Sequence, residues 1–554
     1  MAKYESLDAV PANIREKLGN YVTNVGGNTF VISGLPPEVT GGVLARYSRA
    51  PTGLQLTLVN EFLDDNGDPI QAKGTGVLER VLVGFGDDSV GELEGVHIGI
   101  EGISQIGTKW VEDRRIGGSP IEQSTRYVRY DQKDAQGNWK FLHPREVQEA
   151  GLGIRFKQVN DRAFEVYSNG IRRLMDHFKR VLPEDQYKIK VRRGEEEVEV
   201  GKADLQGDDE VRAFRNAYTF AIRCAALDVG RCVLPASTLT QLGVYGNGRF
   251  MSGVLSFLKS QGLKEAQDRA NELEIELAKV IPTFIKRNKA NLSWARRDER
   301  MYALARELTE GMTPETQPVL LVSRADHLDE VVAQILFPYT NVSLRQIQER
   351  VHNYTRRLKE EVIAAYVGER ESRRDRTGRS FEAGYPYTFE IVGGFAEYRD
   401  LERHRMVTQQ RQRLTTELGF IMPPEMREIG LEQQVEEVVA QMEGLNSDIR
   451  HADLEEAAQY ATLFNHRMRF FMGLNARELQ HLTELRTGPA GHFSYRAVAM
   501  EMARQALQRD PWLGEALRFV DYSDPENRIT RAKEQSKIAG RNIAKGIDDT
   551  SDLV

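Results

Sequence analysis

The sequence predicts an α+β protein in which two related domains, each a small sheet packed with long helices, follow one another in one chain of 554 residues. Apolar residues alternate in two short segments, 96–101 and 385–395, which is the period of a half-buried strand. Each segment runs directly into a helical stretch. In both halves a long helical block follows and ends in a helix that begins with Asn-x-Arg, so the order of elements is repeated.

Composition excludes several classes of protein. Hydrophobic residues make up 40% and charged residues 28%, which is typical of folded globular chains. A net charge of −7 argues against a uniformly basic nucleic-acid binder, and two cysteines cannot form a disulfide framework. Histidine and cysteine are too sparse to indicate a metal site. No apolar run approaches the roughly 18 residues of a membrane helix. We therefore expect a cytoplasmic protein with no membrane or nucleic-acid partner.

Four segments are expected along the chain. They are a lead-in over 1–35, a first copy over 36–310, a second copy over 311–522 and a tail over 523–554. The tail contains few large apolar residues, so we expect it to be mobile.

In the first copy, the strand near 96–101 precedes a helix over 104–115 with Ser104 as its N-cap. Helices are expected to dominate 155–310, with a break near Pro235 and a polar excursion at 195–200. Both cysteines lie in apolar surroundings and are expected to be buried packing residues.

In the second copy, QPVLLVSRA (317–325) predicts a strand and 328–337 a helix. The strand at 385–395 precedes a helix from Ala396. Helical periodicity is expected to continue through 457–486 and to stop at the following Thr-Gly-Pro.

Three clusters could carry chemistry. Arg403-His404-Arg405 offers two guanidinium groups that suit a diphosphate, although a solvated helix end would have the same composition. The loop 122–127 (EQSTRY) offers a carboxylate, a hydroxyl and a guanidinium that suit a nucleotide; an ordinary polar turn is the alternative. Asn475 and Arg486 are about three helical turns apart and share a face, which could equally be solvated.

Taken together, these pieces resemble the flavin-dependent thymidylate synthases. That family carries, in order, Arg-His-Arg, Glu-x-Ser-x-Arg-Tyr, Arg-x-Val-Leu-Pro and an Asn-x-Arg helix that closes on an arginine. The first copy matches with a Gly-x-x-Ser-x-x-Glu run containing Ser89 and Glu92, with 122–127, with Arg231 in RCVLP and with Asn247-Gly-Arg. The second copy matches with 403–405 and 475–486.

The departures from the family pattern divide between the copies. The first copy has Glu112-Asp113-Arg114 in place of Arg-His-Arg, Asp87 in place of the usual histidine, and Leu258 where the closing arginine belongs. The second copy has Arg411–Thr416 in place of the loop and lacks the Arg-x-Val-Leu-Pro segment. Each copy therefore lacks what the other retains.

The resemblance implies a role for each matched residue. The residues implied to bind dUMP are Glu122, Gln123, Ser124, Thr125, Arg126, Arg231 and Arg486. Those implied to hold FAD are Ser89, Glu92, Arg403, His404, Arg405, Asn475, Arg477 and His481. Arg486 is the implied catalytic residue, because a guanidinium near the uracil ring would stabilise negative charge that develops there.

The implied reaction is reductive methylation of dUMP to dTMP, with methylenetetrahydrofolate as carbon donor and NADPH as reductant of the flavin. In the resembling family, a homotetramer, each site combines the loop of one subunit with the Arg-His-Arg of another. We therefore expect a homodimer with one composite site per chain. Two alternatives stay open: a degenerate protein that binds flavin or nucleotide without catalysis, and a methylase of another pyrimidine.

Overall fold

The computed structural model describes residues 3–48, 50–85, 88–194, 196–286, 288–323, 327–340, 342–373, 375 and 377–545. Contacts divide the chain into two units. Unit 1 comprises the described parts of Met1–Gln123, Pro144–Glu146 and Leu239–Met312. Unit 2 comprises the described parts of Ser124–His143, Val147–Thr238 and Thr313–Val554.

Helices occupy most of the described chain, and the α-helices follow in chain order. They are α1 (Ala12–Leu18), α2 (Pro37–Tyr47), α3 (Leu54–Thr57), α4 (Gln71–Leu78), α5 (Gln105–Glu112), α6 (Arg145–Glu149), α7 (Gly153–Val181), α8 (Gly207–Gly230), α9 (Gly248–Lys259), α10 (Lys264–Leu277) and α11 (Pro282–Ile285). The others are α12 (Leu292–Leu308), α13 (Leu328–Leu336), α14 (Leu344–His352), α15 (Arg356–Val367), α16 (Phe395–Leu401), α17 (Pro424–Glu428), α18 (Glu432–His451), α19 (Ala476–Arg486), α20 (Phe493–Arg509) and α21 (Thr530–Lys545).

The strands form small antiparallel sheets, which establishes the α+β class. They are β1 (Gly95–Ser104), β2 (Gly118–Glu122), β3 (Lys188–Arg193), β4 (Glu196–Gly201), β5 (Leu239–Asn247), β6 (Val319–Leu321), β7 (Tyr387–Gly394), β8 (Thr408–Arg411) and β9 (Arg467–Leu474). Unit 1 contains the sheet β1-β5-β2. Unit 2 contains the sheet β6-β7-β9-β8 and the hairpin β3-β4.

The two larger sheets have the same connectivity, as a tandem duplication requires. In each copy a strand runs into a helix (β1 into α5, β7 into α16), and a short strand follows (β2, β8). Both strands pair antiparallel with a later central strand, β5 or β9. That central strand runs into a helix whose first turn is capped by an asparagine, Asn247 or Asn475. The repeated order seen in the sequence is therefore confirmed.

The central strands were the elements that the sequence analysis missed. The segment expected to be helical over 457–486 contains β9, where Met468, Phe470 and Met472 are buried and alternate with half-buried residues. That period of two fits a strand between β7 and β8. The helical expectation for 155–310 fails in the same way at β5, and the polar excursion at 195–200 forms most of β4.

Other local predictions hold. The Ser104 hydroxyl accepts a hydrogen bond from the Gly107 amide (2.9 Å) and caps α5. Helix α9 is unbroken and Leu258 on it is buried. Both cysteines are buried, and burial raises the pKa of the Cys224 thiol to about 11.

Described residues of the expected lead-in and of the expected tail pack against other elements. Val10, Ile14 and Leu18 belong to one hydrophobic cluster with residues of 39–63. The tail forms α21, on which Ala532 and Ala539 are buried. Small side chains let this helix approach α8 and β3 closely, so few large apolar residues are needed. Within the described ranges, none of the helices combines the length and hydropathy that crossing a bilayer requires.

The two asparagine caps generate a prediction. The Asn247 and Asn475 side-chain oxygens each accept a hydrogen bond from the backbone amide three residues on, at 2.8 Å. Asn475→Ala should lower the free energy of unfolding by about 1 kcal/mol, because an amide at the start of α19 loses its acceptor. Asn475→Ser is the matched control and should keep most of the stability. Equal midpoints of thermal unfolding for the two variants would contradict the capping role.

Candidate functional site

A buried ion pair in unit 2 holds the arginine of the loop 122–127. Arg126 donates from Nε and Nη2 to the two carboxylate oxygens of Asp228, at 2.8 and 2.9 Å. Burial opposes ionisation of Asp228, but Arg126 more than offsets it and holds the pKa of this carboxyl well below its usual range. The pair is therefore charged, with both side chains almost fully buried.

A second buried carboxylate brings together residues of the two copies. Asp400, at the end of α16, accepts hydrogen bonds from Arg231 (3.0 Å) and Arg403 (3.2 Å). Burial opposes its ionisation, and Arg231, Arg126 and Arg403 together still hold its pKa well below the usual range. Arg231 and Arg126 belong to the first copy, and the other two residues belong to the second.

A threonine of the loop also joins the copies. The Thr125 hydroxyl lies 3.5 Å from Nη1 of Arg231 and 3.3 Å from Nη1 of Arg399. We call Arg126, Arg231, Arg399, Arg403, Asp228 and Asp400 the arginine cluster. It brings four guanidinium groups together around two carboxylates, and guanidinium groups are donors suited to a phosphate.

A chain of hydrogen bonds runs from the Arg-His-Arg motif to the last arginine of α19. Arg486 donates from Nε to Nε2 of His404 (2.9 Å), and Nδ1 of His404 lies 2.7 Å from the Glu478 carboxylate. Because an arginine can only donate, Nε2 must carry the lone pair and Nδ1 the proton. His404 is therefore a neutral imidazole that links Arg486 to Glu478.

The same residues have the composition of a metal site, but their bonding does not fit one. His404, Glu478 and His481 place ligand atoms within 4.8 Å of one another. Both ring nitrogens of His404 are engaged, one with Glu478 and the other with Arg486. A cation at this point would also lie next to the Arg486 guanidinium, and like charges repel.

Tyr495 connects the hydrogen-bond chain with the arginine cluster. Its hydroxyl accepts from Nη1 of Arg126 at 3.2 Å, and the Arg486 guanidinium lies 5.7 Å from the centre of its ring. Burial lowers the pKa of Arg486, although Tyr495 and Asp400 act in the opposite direction. The arginine implied to bind phosphate and the arginine implied to activate uracil thus contact one tyrosine.

The start of the loop 122–127 lies in unit 1, since the boundary between the units falls after Gln123. The Glu122 carboxylate accepts from Lys109 and from Thr108, each at 3.3 Å. Lys109 is fully buried and also pairs with Glu112. Glu112, the first residue of the run that stands in place of Arg-His-Arg in the first copy, is thus part of a buried ion pair. The Gln123 amide donates to the Gln241 carbonyl, and Ser124 accepts from the Arg126 amide.

Ser89 and Glu92 lie in unit 1, just before β1. Ser89 is exposed, and Glu92 pairs with Arg249 at 2.6 Å on the protein surface. These two residues of the predicted FAD set are therefore not part of the arginine cluster. Asp87, where the family pattern has histidine, falls outside the described residues.

The remaining predicted residues lie on or beside α16 and α19. Arg405 is exposed, and the His481 ring lies 5.3 Å from the His404 ring, tilted by 59°. Asn475 is buried and caps α19, while Arg477 donates to the Thr377 carbonyl (3.0 Å) and pairs with Glu382. The polar face of α19 is therefore partly bonded within the protein and is not simply a solvated surface.

The sequence identified Arg126, Arg231 and Arg403 but neither the fourth arginine of the cluster nor the partners of these cations. The residues missed are Asp228, Asp400, Arg399, Glu478, His492 and Tyr495. Asp228 and Asp400 each lie three residues before an arginine that was identified, which places them one helical turn away. That spacing was the available signal. Tyr495 has none, because its partner Arg126 is 369 residues distant.

A second series of buried hydrogen bonds lies beside the arginine cluster. His492 contacts the Asp228 carbonyl through Nε2 (3.0 Å) and the Ser494 hydroxyl through Nδ1 (2.7 Å). Burial and the neighbouring Arg231 lower the pKa of His492 well below its usual value. The Ser494 hydroxyl also bonds the Glu397 carboxyl, and burial raises the pKa of Glu397 to about 7.

Comparison with known proteins gives a consistent family match. The model of the thymidylate synthase complementing protein family matches residues 47–283 and 330–512, one segment in each copy. A UPF0159 protein of Chlamydia muridarum (strain MoPn / Nigg) is 32% identical over 94% of this chain and 97% of its own length. A UPF0159 protein of Chlamydia pneumoniae is 32% identical over 92% of this chain and 95% of its own length. A UPF0159 protein of Thermoplasma acidophilum is 28% identical over 90% of this chain and 99% of its own length.

The raised pKa of Glu397 predicts a pH dependence of stability. Between pH 4.5 and 7 the unfolded chain ionises this carboxyl while the folded chain keeps it protonated, so stability falls as pH rises through this window. Glu397→Gln removes that loss. The gain in unfolding temperature over wild type should be larger at pH 8 than at pH 5. Glu436→Gln, on the exposed face of α18, is the control. A gain independent of pH would contradict the assignment.

Proposed function

The chain belongs to the thymidylate synthase complementing protein family, and from this membership we propose that it is a flavin-dependent thymidylate synthase-like enzyme that converts dUMP to dTMP. Methylenetetrahydrofolate would donate the carbon and NADPH would supply the reducing equivalents. The observation that carries the proposal is the arginine cluster. In it, Arg231 of the first copy shares the buried carboxylate of Asp400 with Arg403 of the second copy, and the Thr125 hydroxyl lies near both Arg231 and Arg399.

In this proposal Arg126 and Arg231 of the arginine cluster bind the phosphate of dUMP. A phosphate carries up to two negative charges, which these two guanidinium groups would meet. Guanidinium forks match phosphate oxygens in geometry. Asp228 and Asp400 would hold the arginines at a fixed spacing, so that little reorganisation is needed when the nucleotide binds.

Arg486 would stabilise the charge that develops on the uracil ring. Its Nε is held by the neutral His404, which leaves the terminal nitrogens of the guanidinium as the donors that can reach a ring carbonyl. Burial of this guanidinium strengthens its interaction with a developing negative charge, because the local dielectric is low. No protein nucleophile is required.

The residues after α16 fit the diphosphate of FAD. Arg405 is exposed, and the Arg403 side chain is 35% exposed while Asp400 holds it from one side. Two guanidinium groups that reach solvent at one helix end are a suitable donor set for a diphosphate. A bound flavin would supply the hydride transfer that no side chain can perform. Asn475, Arg477 and His481 on α19 would complete this side of the site.

The direct test of the function is rescue of a thymidine-requiring bacterial strain by this gene. Growth without thymidine, lost on Arg486→Ala, is the expected result. A yellow purified protein whose flavin spectrum does not respond to dUMP would favour a different pyrimidine. A protein that stays colourless after FAD is added would favour a binding role without catalysis.

The two arginines that contact Tyr495 should respond differently to substitution. Replacing Arg126 should weaken dUMP binding about ten- to a hundredfold, the effect of losing a charged hydrogen bond to phosphate. Arg486→Ala should instead lower turnover more than dUMP affinity. Because Arg126→Ala leaves Asp228 buried without its partner, the matched variant is Arg126→Gln with Asp228→Asn. Wild-type dUMP affinity and turnover in both variants would remove the case for a dUMP site.

The composite site predicts a stoichiometry. A homodimer should bind about one FAD and one dUMP per chain, because the first copy carries a buried ion pair of Lys109 and Glu112 in place of an Arg-His-Arg motif. Particle mass by light scattering, combined with flavin absorbance per chain, measures it. Two flavins per chain, or a stable active monomer, would contradict this arrangement.

A further inference from the structure

The C-terminal segment 513–545 lies beyond the part of the chain that matches the family model, which ends at residue 512. No motif of the family therefore accounts for it. The segment lies in unit 2, together with the arginine cluster, and its role has to be inferred from what it contacts.

A fully buried arginine anchors this segment to the end of α19. Arg496, on α20, donates to the Thr487 carbonyl (2.8 Å), to the Ser523 hydroxyl (2.9 Å) and to the Thr530 hydroxyl (3.4 Å). The Thr487 hydroxyl in turn accepts from the Asp521 amide at 3.0 Å. Thr487 directly follows Arg486, so these bonds act at the point where the implied catalytic arginine leaves its helix.

The first turn of α21 holds the loop that follows. The Thr530 hydroxyl donates to the Pro489 carbonyl at 3.0 Å, and Arg531 donates to the Ala490 carbonyl at 2.5 Å. Nη2 of Arg126 lies 3.5 Å from the same Ala490 oxygen. The guanidinium of Arg531, which is 5% exposed, also lies 5.2 Å from the ring centre of Tyr127 in the loop 122–127.

Arg531 therefore connects to both arginines to which the proposed function gives roles, Arg126 and Arg486. On one side it shares an acceptor with Arg126, and its positive charge helps to keep Asp228 ionised. On the other side it fixes the loop that begins one residue after Arg486. A buried guanidinium with a carbonyl and an aromatic face as neighbours has few alternative positions, so it fixes the spacing of both partners.

We infer that the C-terminal segment is a wall of the candidate site, and that Arg531 is a positioning residue that sets Arg126 and the loop after Arg486 for nucleotide binding. The inference rests on the proposed function for the identity of the nucleotide. The coupling between α21 and the loop 487–491 is independent of the proposed function, because it can be measured without any ligand.

The experiment compares Arg531→Met, which keeps the length and bulk of the side chain without its charge, with Arg531→Lys and Lys533→Met in the full-length chain. Lys533 is the matched control, because it is exposed and lies two residues along the same helix. Hydrogen exchange should show faster exchange at residues 124–128 and 487–491 in Arg531→Met alone. Calorimetric titration with dUMP should show about a tenfold loss of affinity in Arg531→Met, partial recovery in Arg531→Lys and no change in Lys533→Met.

The outcomes separate this inference from the proposed function. If wild type binds no dUMP but exchange at 487–491 rises in Arg531→Met, the function fails and the coupling stands. If wild type binds dUMP and Arg531→Met keeps both wild-type affinity and wild-type exchange, the inference is overturned. A fall in unfolding temperature with unchanged affinity would also overturn it, because Arg531 would then only stabilise the fold.

Discussion

Buried carboxylates that neutralise arginines are the interactions on which the candidate site depends. A charge removed from water is costly unless a partner of opposite sign meets it with good geometry. Asp228 and Asp400 meet this requirement for arginines that arrive from distant parts of the chain, 102 and 169 residues away. Because each pair tolerates little displacement, it fixes the positions of the helices that carry it. The more exposed side chains on those helices are positioned as a result. Tyr495 and His404 extend the same rigidity to Arg486.

The sequence predicted elements wherever a residue pattern is local. The alternation at 385–395, the Ser104 cap and the unbroken α9 are all properties of neighbouring residues, and the structure has them. Strand β9 was missed because Phe471 and Gly473 end the polar side that Arg467 and Arg469 begin, so the alternation is short, and because a helical segment follows at once. Its identity is set by β7 and β8, which lie on either side of it. The packing of α21 was not expected because it uses alanines, whose burial no hydropathy pattern reveals.

In the candidate site, too, local residue patterns were predictable from the sequence and contacts between distant residues were not. Motif spacing identified Arg126, Arg231 and Arg403, since each belongs to a short run of characteristic residues, but not Arg399, which lies outside any such run. It could not identify what those arginines contact, because a partner such as Tyr495 becomes a neighbour only after the chain has folded. It also treated Asn475 mainly as a ligand group, whereas its side-chain oxygen is committed to the first turn of α19. The structure changes the account of Glu122 most, by giving it a buried lysine as partner.

The ion pair between Arg231 and Asp400 also bears on how such a chain can evolve. After a duplication, two identical copies can replace one another, and either may be lost by recombination. Once an arginine of one copy neutralises a buried carboxylate of the other, that exchange ends: a chain with two first copies would lack the aspartate, and a chain with two second copies would lack the arginine. Each further ion pair between the copies makes the loss of either copy more costly, so return to a single-copy ancestor becomes less accessible. Both copies are then retained because the folded protein needs the ion pairs between them, whatever reaction it carries out.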